Sequence, residues 1–250
     1  MKNTTLCRIW IRVKSLFSLL LNLKRYLAGE VFVSWSQAGE DVLLGAFLRN
    51  RLDDSSYRGF WVDVGANNPV KWSNTKMFYD RGWRGINVDA SPESVALLDR
   101  GRPRDININV GIDMEEGMFE YYVMSSDAMN TFSKAFAEKA VKEGSKILDV
   151  RKIKVITLSQ LLERYLPAGQ HIDFFTIDAE GLDLTILKSN DWKKFRPDYI
   201  LIEIHTENGN DTVLSHSASK FLETVGYRFV GQALSTTFYK QFEQNLYRNT

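Results

Sequence analysis

Cysteine is almost missing from this chain: Cys7 is the only one in 250 residues. An intrachain disulfide is therefore excluded, nothing points to an oxidising compartment, and a cytoplasmic setting is the expectation. Zinc sites built on paired cysteines are excluded with it. Charge of one sign is equally scarce, the net charge being +1. The positive excess sits at the start, where Lys2, Arg8, Arg12, Lys14, Lys24 and Arg25 face Glu30 alone, so the rest of the chain is acidic overall. Such a body has no electrostatic footprint for nucleic acid, and that partner is set aside. A long apolar run is missing too. Between Leu6 and Gly29 the longest uncharged stretch, Ser15 to Leu23, has nine residues, against the ~20 needed to cross a bilayer. What is present is ordinary: 44% hydrophobic and 25% charged residues, values that suit a globular core and argue against overall disorder.

Residues 1–33 read as a basic amphipathic helical segment ahead of a main domain at 34–250. Arg8 and Arg12 would share one helix face, leaving Leu6, Ile9, Trp10, Val13, Phe17 and Leu20 largely elsewhere. Lys24 and Arg25, directly after the apolar stretch, are poor flanks for signal-peptide cleavage. Residues 6–25 are expected to lie peripherally on anionic lipid at the inner face of the membrane; the competing reading is a helix packed on its own domain or on a second subunit.

Beyond this segment the chain alternates between strand and helix patterns. A helix capped by Ser36, with Glu40 and Asp41 near its positive end, comes first. Strands are expected at Gly59–Val64, Gly85–Asp89, Asp105–Val110, Ile172–Asp178 and Tyr199–His205. Helices are expected near Ser73–Asp80, Pro92–Arg100, Leu158–Tyr165, Leu182–Asn190 and Thr212–Val225. This alternation implies an α/β, Rossmann-like, mostly parallel sheet with helices on both faces, whose ligand sits at the carboxyl ends of the strands. "YRFVGQA" and "TTFYKQF", joined by Leu234 and Ser235 alone, read as a C-terminal antiparallel hairpin. Residues 117–156 break the alternation and read as a lid-like insertion over the site, with a plain surface excursion as the bland alternative.

The stretch "WVDVGANNP" at 61–69 ends a buried strand on Asp63 and Gly65. A dinucleotide fingerprint would need three glycines for the pyrophosphate, and Asn67, Asn68 and Pro69 stand in the later places. A ligand with a cationic sulfonium and an amino acid end suits a carboxylate, one close glycine and amides instead. S-adenosylmethionine is such a ligand. Asp89, at the tip of the second strand, is placed to accept from a ribose diol, though NAD would use the same acid.

Seven short motifs in order, "FWVDVGAN" (60–67), "SNT" (73–75), "GWRG" (82–85), "NVDASPE" (87–93), "NTFS" (130–133), "IDAEGLD" (177–183) and "RPDYILIE" (196–203), resemble the FkbM family of S-adenosylmethionine-dependent methyltransferases. The resemblance runs from about Ser36 to Tyr239. It implies a class I methyltransferase sheet of seven strands and methyl transfer to a hydroxyl of a small-molecule or saccharide acceptor. Two positions depart from the family pattern: Pro69 replaces a glycine, and Asp89–Ala90 stands where Glu-Pro is commoner.

Asp63, Gly65, Asn67, Asn74, Asp89, Ala90 and Asp178 are thus the candidate cofactor residues. Asp178 and Glu180, after the fourth strand, and His205, after Glu203 on the fifth, are the candidate catalytic groups. In-line displacement needs the acceptor oxygen held in place and its proton removed. Asp178, Glu180, Glu203 and His205 could also hold a divalent metal, although their spacing is not diagnostic. "SQAGED" at 36–41 reads either as a flap over the cofactor or as a capped helix. His171 and His216 read as bystanders, and Trp72 as an edge aromatic beside the site. Two readings from other classes remain: a nicotinamide-dependent oxidoreductase, disfavoured by the missing glycines, and a non-catalytic methyltransferase-like interaction module.

Overall fold

Phe60–Val64 (β1) is buried along its whole length, the pattern of a strand covered on both faces. In the computed structural model it is an interior strand of a seven-stranded sheet. The model describes Lys24, residues 33–204 and residues 212–242. Apart from Lys24, the expected segment at 6–25 lies outside the described residues, and so does His205.

The chain leaves β1 for Arg84–Asp89 (β2) and Ile106–Asn109 (β3) on one side, then returns to Phe174–Ile177 (β7) and Tyr199–Glu203 (β8) on the other. Tyr227–Ala233 (β9) and Thr236–Gln241 (β10) complete the sheet, whose order is β3-β2-β1-β7-β8-β10-β9. β1 pairs in parallel with β2 and β7, and β10 runs antiparallel to β8 and β9. The expected parallel sheet with its antiparallel hairpin is therefore present. Reversal of strand order beside β1 opens a crevice at the tips of β1 and β7.

Alternating residues fill opposite faces. Val62, Val64, Phe175, Ile177, Ile200 and Ile202 join one core with Leu158, Leu161 and Leu162 of the helix Leu158–Tyr165 (α6) and Ala218 and Leu222 of Ser217–Thr224 (α8). Trp61, Phe174, Leu201 and Phe238 join the other with Leu44 of Glu40–Phe47 (α1) and Met77 and Phe78 of Lys76–Asp80 (α3). At about 1.5–3 kcal/mol per buried large side chain, these two layers hold the sheet rigid. Asp63 and Asp89 share the parity of Trp61, so their side chains leave the sheet on the second face, at its carboxyl edge.

Residues 117–156 run from Gly117–Met124 (β5) through the helix Lys134–Lys142 (α5) to Ile147–Ile156 (β6). With Gly111–Ile112 (β4) they build a separate three-stranded sheet, order β4-β6-β5. Two local expectations are corrected. The first helix is capped by Gly39 at φ 88°, not by Ser36, whose hydroxyl bonds Asp41 at 2.9 Å instead. The helix expected from Ser73 begins at Lys76, because Ser73 and Thr75 are engaged by Arg102.

Candidate active site

A cavity of about 360 Å³ opens at the carboxyl edge of the sheet. Asp63, Gly65, Asn67, Asn74, Asp89, Ala90, Asp178 and Glu180 all line it, together with Glu203. The sequence separates these residues widely; parallel strands ending side by side bring them together. His205 lies outside the described residues.

Each wall has its own local cause. β1 is followed at once by Gly65, which takes φ +86°, and a Cβ there would sit 1.9 Å from the Asp178 carbonyl oxygen. The glycine thus lets the tips of β1 and β7 close on each other. Beyond it, the Asn67 amide donates to Asp89 Oδ2 at 2.8 Å and the Ser91 amide to Asp89 Oδ1 at 2.7 Å. Both carboxylate oxygens are fixed by backbone while keeping spare lone pairs for a diol. Ser91 then caps the helix Pro92–Gly101 (α4) by accepting from Ser94 N. Asn74 donates to Thr176 Oγ1 at 3.0 Å, tying the loop after β1 to β7.

The loop after β1 does not behave as a phosphate cradle. Asn67 lines the cavity, and the next helix begins only at Lys76, so the turn at Gly65 does not run directly into a helix N-terminus of the kind that cradles a diphosphate. Pro69 carries no amide proton, but its carbonyl accepts from Arg102 Nε at 2.8 Å.

The insertion supplies the far wall through Tyr121, Asp127, Met129, Asn130, Thr131 and Phe132. Thr131 Oγ1 donates to the Glu180 carbonyl at 3.3 Å and accepts from the Ser133 amide at 2.9 Å. Residues 130–133 therefore clamp the turn carrying the candidate base. Gln37 and Glu40 also reach the cavity, as the flap reading of residues 36–41 requires. Asn67, Trp72 and Glu180 hold left-handed φ values of 44°, 56° and 48°. Backbone strain of this kind, about 1–3 kcal/mol per residue, gathers at ligand sites.

Electrostatically the cavity is acidic. Burial pushes Asp63 up to about 7 against the opposing pull of Arg102, and pushes Asp89 up to about 6 against the amides of Ser91 and Asn67. Burial, then Glu203 and Asp183, push Glu180 up to about 7. Burial with Glu203, Glu180, Asp183 and Asp63 also raises Asp178 well above the usual carboxylate range. Asp183 is likewise raised to about 7, chiefly by burial, and its buried Oδ1 has no hydrogen-bond partner. A site that leaves several acids under-compensated favours a cationic occupant, which a sulfonium and an ammonium provide.

This has a measurable consequence. A carboxyl group with a raised folded-state pKa binds its proton more tightly folded than unfolded, so the free protein loses stability as pH rises from the ordinary carboxylate range to about 7. A cationic ligand favours the ionised form. Its affinity is therefore expected to rise at least about tenfold between pH 5.5 and 8, with protons released on binding. Calorimetry of S-adenosylmethionine in buffers of different ionisation enthalpy checks both, and S-adenosylhomocysteine, which lacks the sulfonium charge, should show the smaller pH effect.

Among the described residues the trio with metal-ligand spacing is His171, Asp173 and Asp198, at the opposite edge of the sheet. Arg51 already supplies a cation there, 2.6 Å from Asp173 and 2.5 Å from Asp198. Asp173 also accepts from Tyr57 Oη and the Phe60 amide, each at 2.7 Å. Its carboxylate is committed to holding β1 in place.

The family model for the methyltransferase FkbM domain matches residues 63–229. No curated protein matches the chain. Similar solved structures include a TehB-like SAM-dependent methyltransferase from Corynebacterium glutamicum, 12% identical, covering 92% of this chain and 99% of that one at TM-score 0.41. Another is the Burkholderia thailandensis 1,6-didemethyltoxoflavin-N1-methyltransferase with bound S-adenosylhomocysteine, 14% identical, covering 91% and 89% at 0.41. A third is an O-methyltransferase from Bacillus cereus in complex with SAH, 10% identical, covering 87% and 86% at 0.40. At these identities and scores the likenesses carry no inference about ligand or acceptor.

Proposed function

The chain belongs to the FkbM family of methyltransferases, and from that premise we propose that it transfers a methyl group from S-adenosylmethionine to a hydroxyl of a small-molecule or saccharide acceptor. The observation that carries the oxygen assignment is Glu180, a cavity-lining carboxyl pushed up to about 7. A general base works best when its pKa lies near the working pH, and an alcohol must lose its proton as it is methylated.

When bound, S-adenosylmethionine supplies an electrophilic methyl group. The residues of this chain do the rest. Asp89, anchored by two amides, would accept from the ribose hydroxyls, and Asp63 would supply a negative charge to the cationic end. Glu180, held by Thr131 through its own carbonyl, takes the acceptor proton at its carboxylate, and Asp178 orients the same hydroxyl. Proximity between acceptor and methyl donor contributes most of the rate, which is why the turn is clamped from the insertion side.

A cyclic, uncharged acceptor is supported by two features. Trp72 stands at the cavity rim, 52% exposed, with Lys71 Nζ over its ring at 3.9 Å, and is an aromatic on whose opposite face a sugar ring can stack. The acidic lining opposes an anionic acceptor. Incubating the enzyme and S-adenosylmethionine with a cell extract tests the reading: one compound should gain about 14 mass units, the net change when methyl replaces a hydroxyl proton. Fragmentation should place the methyl on oxygen. A methylated nitrogen as the sole product would overturn the oxygen assignment.

A further inference from the structure

Arg102 belongs to no motif in the sequence, yet it is completely buried, 0% exposed. An arginine in that position must satisfy its five donors within the protein. Three hydrogen bonds and an ion pair on the back of the cavity wall engage it. Its Nε donates to the Pro69 carbonyl at 2.8 Å, Nη2 to Ser73 Oγ at 2.9 Å and Nη1 to Thr75 Oγ1 at 3.3 Å. Thr75 Oγ1 in turn donates to Asp63 Oδ2 at 3.2 Å. On the other side Arg102 pairs with Asp105 at 3.5 Å. Asp105 accepts from Asn87 Nδ2 at 3.0 Å and the Gly85 amide at 3.1 Å, and Asn87 Oδ1 accepts from Trp61 Nε1 at 3.0 Å. The Tyr79 ring lies 4.8 Å from the guanidinium.

One side chain thus spans the whole loop that carries Asn67, Trp72 and Asn74, and ends, through Thr75, on the carboxylate at the tip of β1. A buried cation is costly to desolvate, and hydrophobic packing of the same volume would serve stability at least as well. Its position beside Asp63 gives it a different use. The charged and titratable groups facing Asp63 are Arg102, Asp89, Asp105 and Asp178, and those facing Arg102 are Asp105, Asp63, Asp80 and Tyr79. In this set Arg102 is the counter-charge to a crowd of acids.

We propose that Arg102 is a positioning residue for the methyl donor: it locks the loop of residues 67–75 against α4 and, as the counter-charge behind Thr75, favours the anionic form of Asp63 that suits the cationic end of S-adenosylmethionine. The proposal rests on the methyltransferase reading. It follows that Arg102 acts through Asp63 without touching the ligand.

The test is calorimetric titration of the full-length protein with S-adenosylmethionine from pH 6 to 9. The variants are Arg102→Lys, the paired substitution Arg102→Met/Asp105→Asn, which removes both buried charges together, and Asp63→Asn alone and combined with the pair. Thermal melting without ligand establishes that each is folded. In the paired variant affinity at pH 7 should fall about fivefold, the drop in the ionised fraction of Asp63 when a group titrating near 7 moves up by one unit, and much of the loss should be recovered by pH 9. Arg102→Lys keeps the charge but loses the fork, so its pH profile should stay that of the wild type. In the Asp63→Asn background the pair should no longer move the profile. A loss equal at every pH, or the same shift without Asp63, would overturn the proposal, and so would a set of variants that fails to fold while Arg102→Lys shifts the profile. Absence of binding by the wild type at every pH would instead defeat the methyltransferase reading on which it stands.

Discussion

Replacing Gly65 with alanine is expected to damage both the fold and the cofactor site, and to do so more than a methyl group added at any other described glycine. The added Cβ would lie 1.9 Å from the Asp178 carbonyl oxygen, with the backbone at φ +86°. The obstacle is main chain, so no side-chain rotation relieves it. Left-handed backbone costs a non-glycine residue about 1–2 kcal/mol, and forcing packed strands apart costs about 1–3 kcal/mol more. At 2–4 °C per kcal/mol for a domain of this size, melting should fall by roughly 5–15 °C. Separating the tips of β1 and β7 also moves Asp63 away from Asp178, so titration of the folded fraction with S-adenosylmethionine should give no measurable heat.

Asp89→Asn is expected to separate binding from stability. Hydrogen bonds to a charged group are worth about 1.5–3 kcal/mol each, and the ribose diol would lose the charge from its acceptor. Affinity should fall by roughly 30- to 1000-fold, or about 2–4 kcal/mol. The fold should suffer little. Burial already pushes Asp89 up to about 6, so a neutral side chain of the same shape relieves a desolvation penalty while giving up one anchored amide. A large drop in affinity with a melting temperature within a few degrees of wild type is the expected pair of results. Equal losses in both would mean that Asp89 is only a turn residue holding Asn67 and Ser91.

These contrasts show which parts of the molecule could be read from its sequence. The β1 pattern, the acids at strand tips and the two-residue link at Leu234 and Ser235 are local signals, and the sheet formed accordingly. Strand ends were less legible. Ile172 and Asp173 looked like strand, but β7 begins at Phe174, because Asp173 is drawn off to bind Arg51, Tyr57 and Phe60. Ser36 looked like a cap by residue type, whereas Gly39 turns the chain and Ser36 serves Asp41.

The site divides the same way. Asp63, Gly65, Asn67, Asn74, Asp89, Ala90, Asp178 and Glu180 were legible because they end recognisable strands or sit in ordered motifs, and the cavity collects all of them. The reason for Gly65 was not, since it depends on a carbonyl more than a hundred residues away. Arg102 was invisible for the same reason: its partners Pro69, Ser73 and Thr75 lie on another loop, and an arginine after a helix ordinarily means solvent. Asp183, with an unpartnered buried oxygen, is only the last residue of the motif "IDAEGLD", where nothing local marks it. Tyr121 and Met129 reach the cavity only because the insertion folds back over it, a tertiary fact without a local pattern.

The proposed activity turns on an acidic cleft that receives a sulfonium where related folds receive a diphosphate. The most direct measurement is calorimetric titration of the wild-type protein at pH 8 with S-adenosylmethionine and, separately, with NADH, each repeated on Asp89→Asn. Saturable heat with one equivalent of S-adenosylmethionine, lost in the variant, and none with NADH is the predicted result. Binding of NADH without binding of S-adenosylmethionine, or an affinity for S-adenosylmethionine untouched by Asp89→Asn, would contradict it.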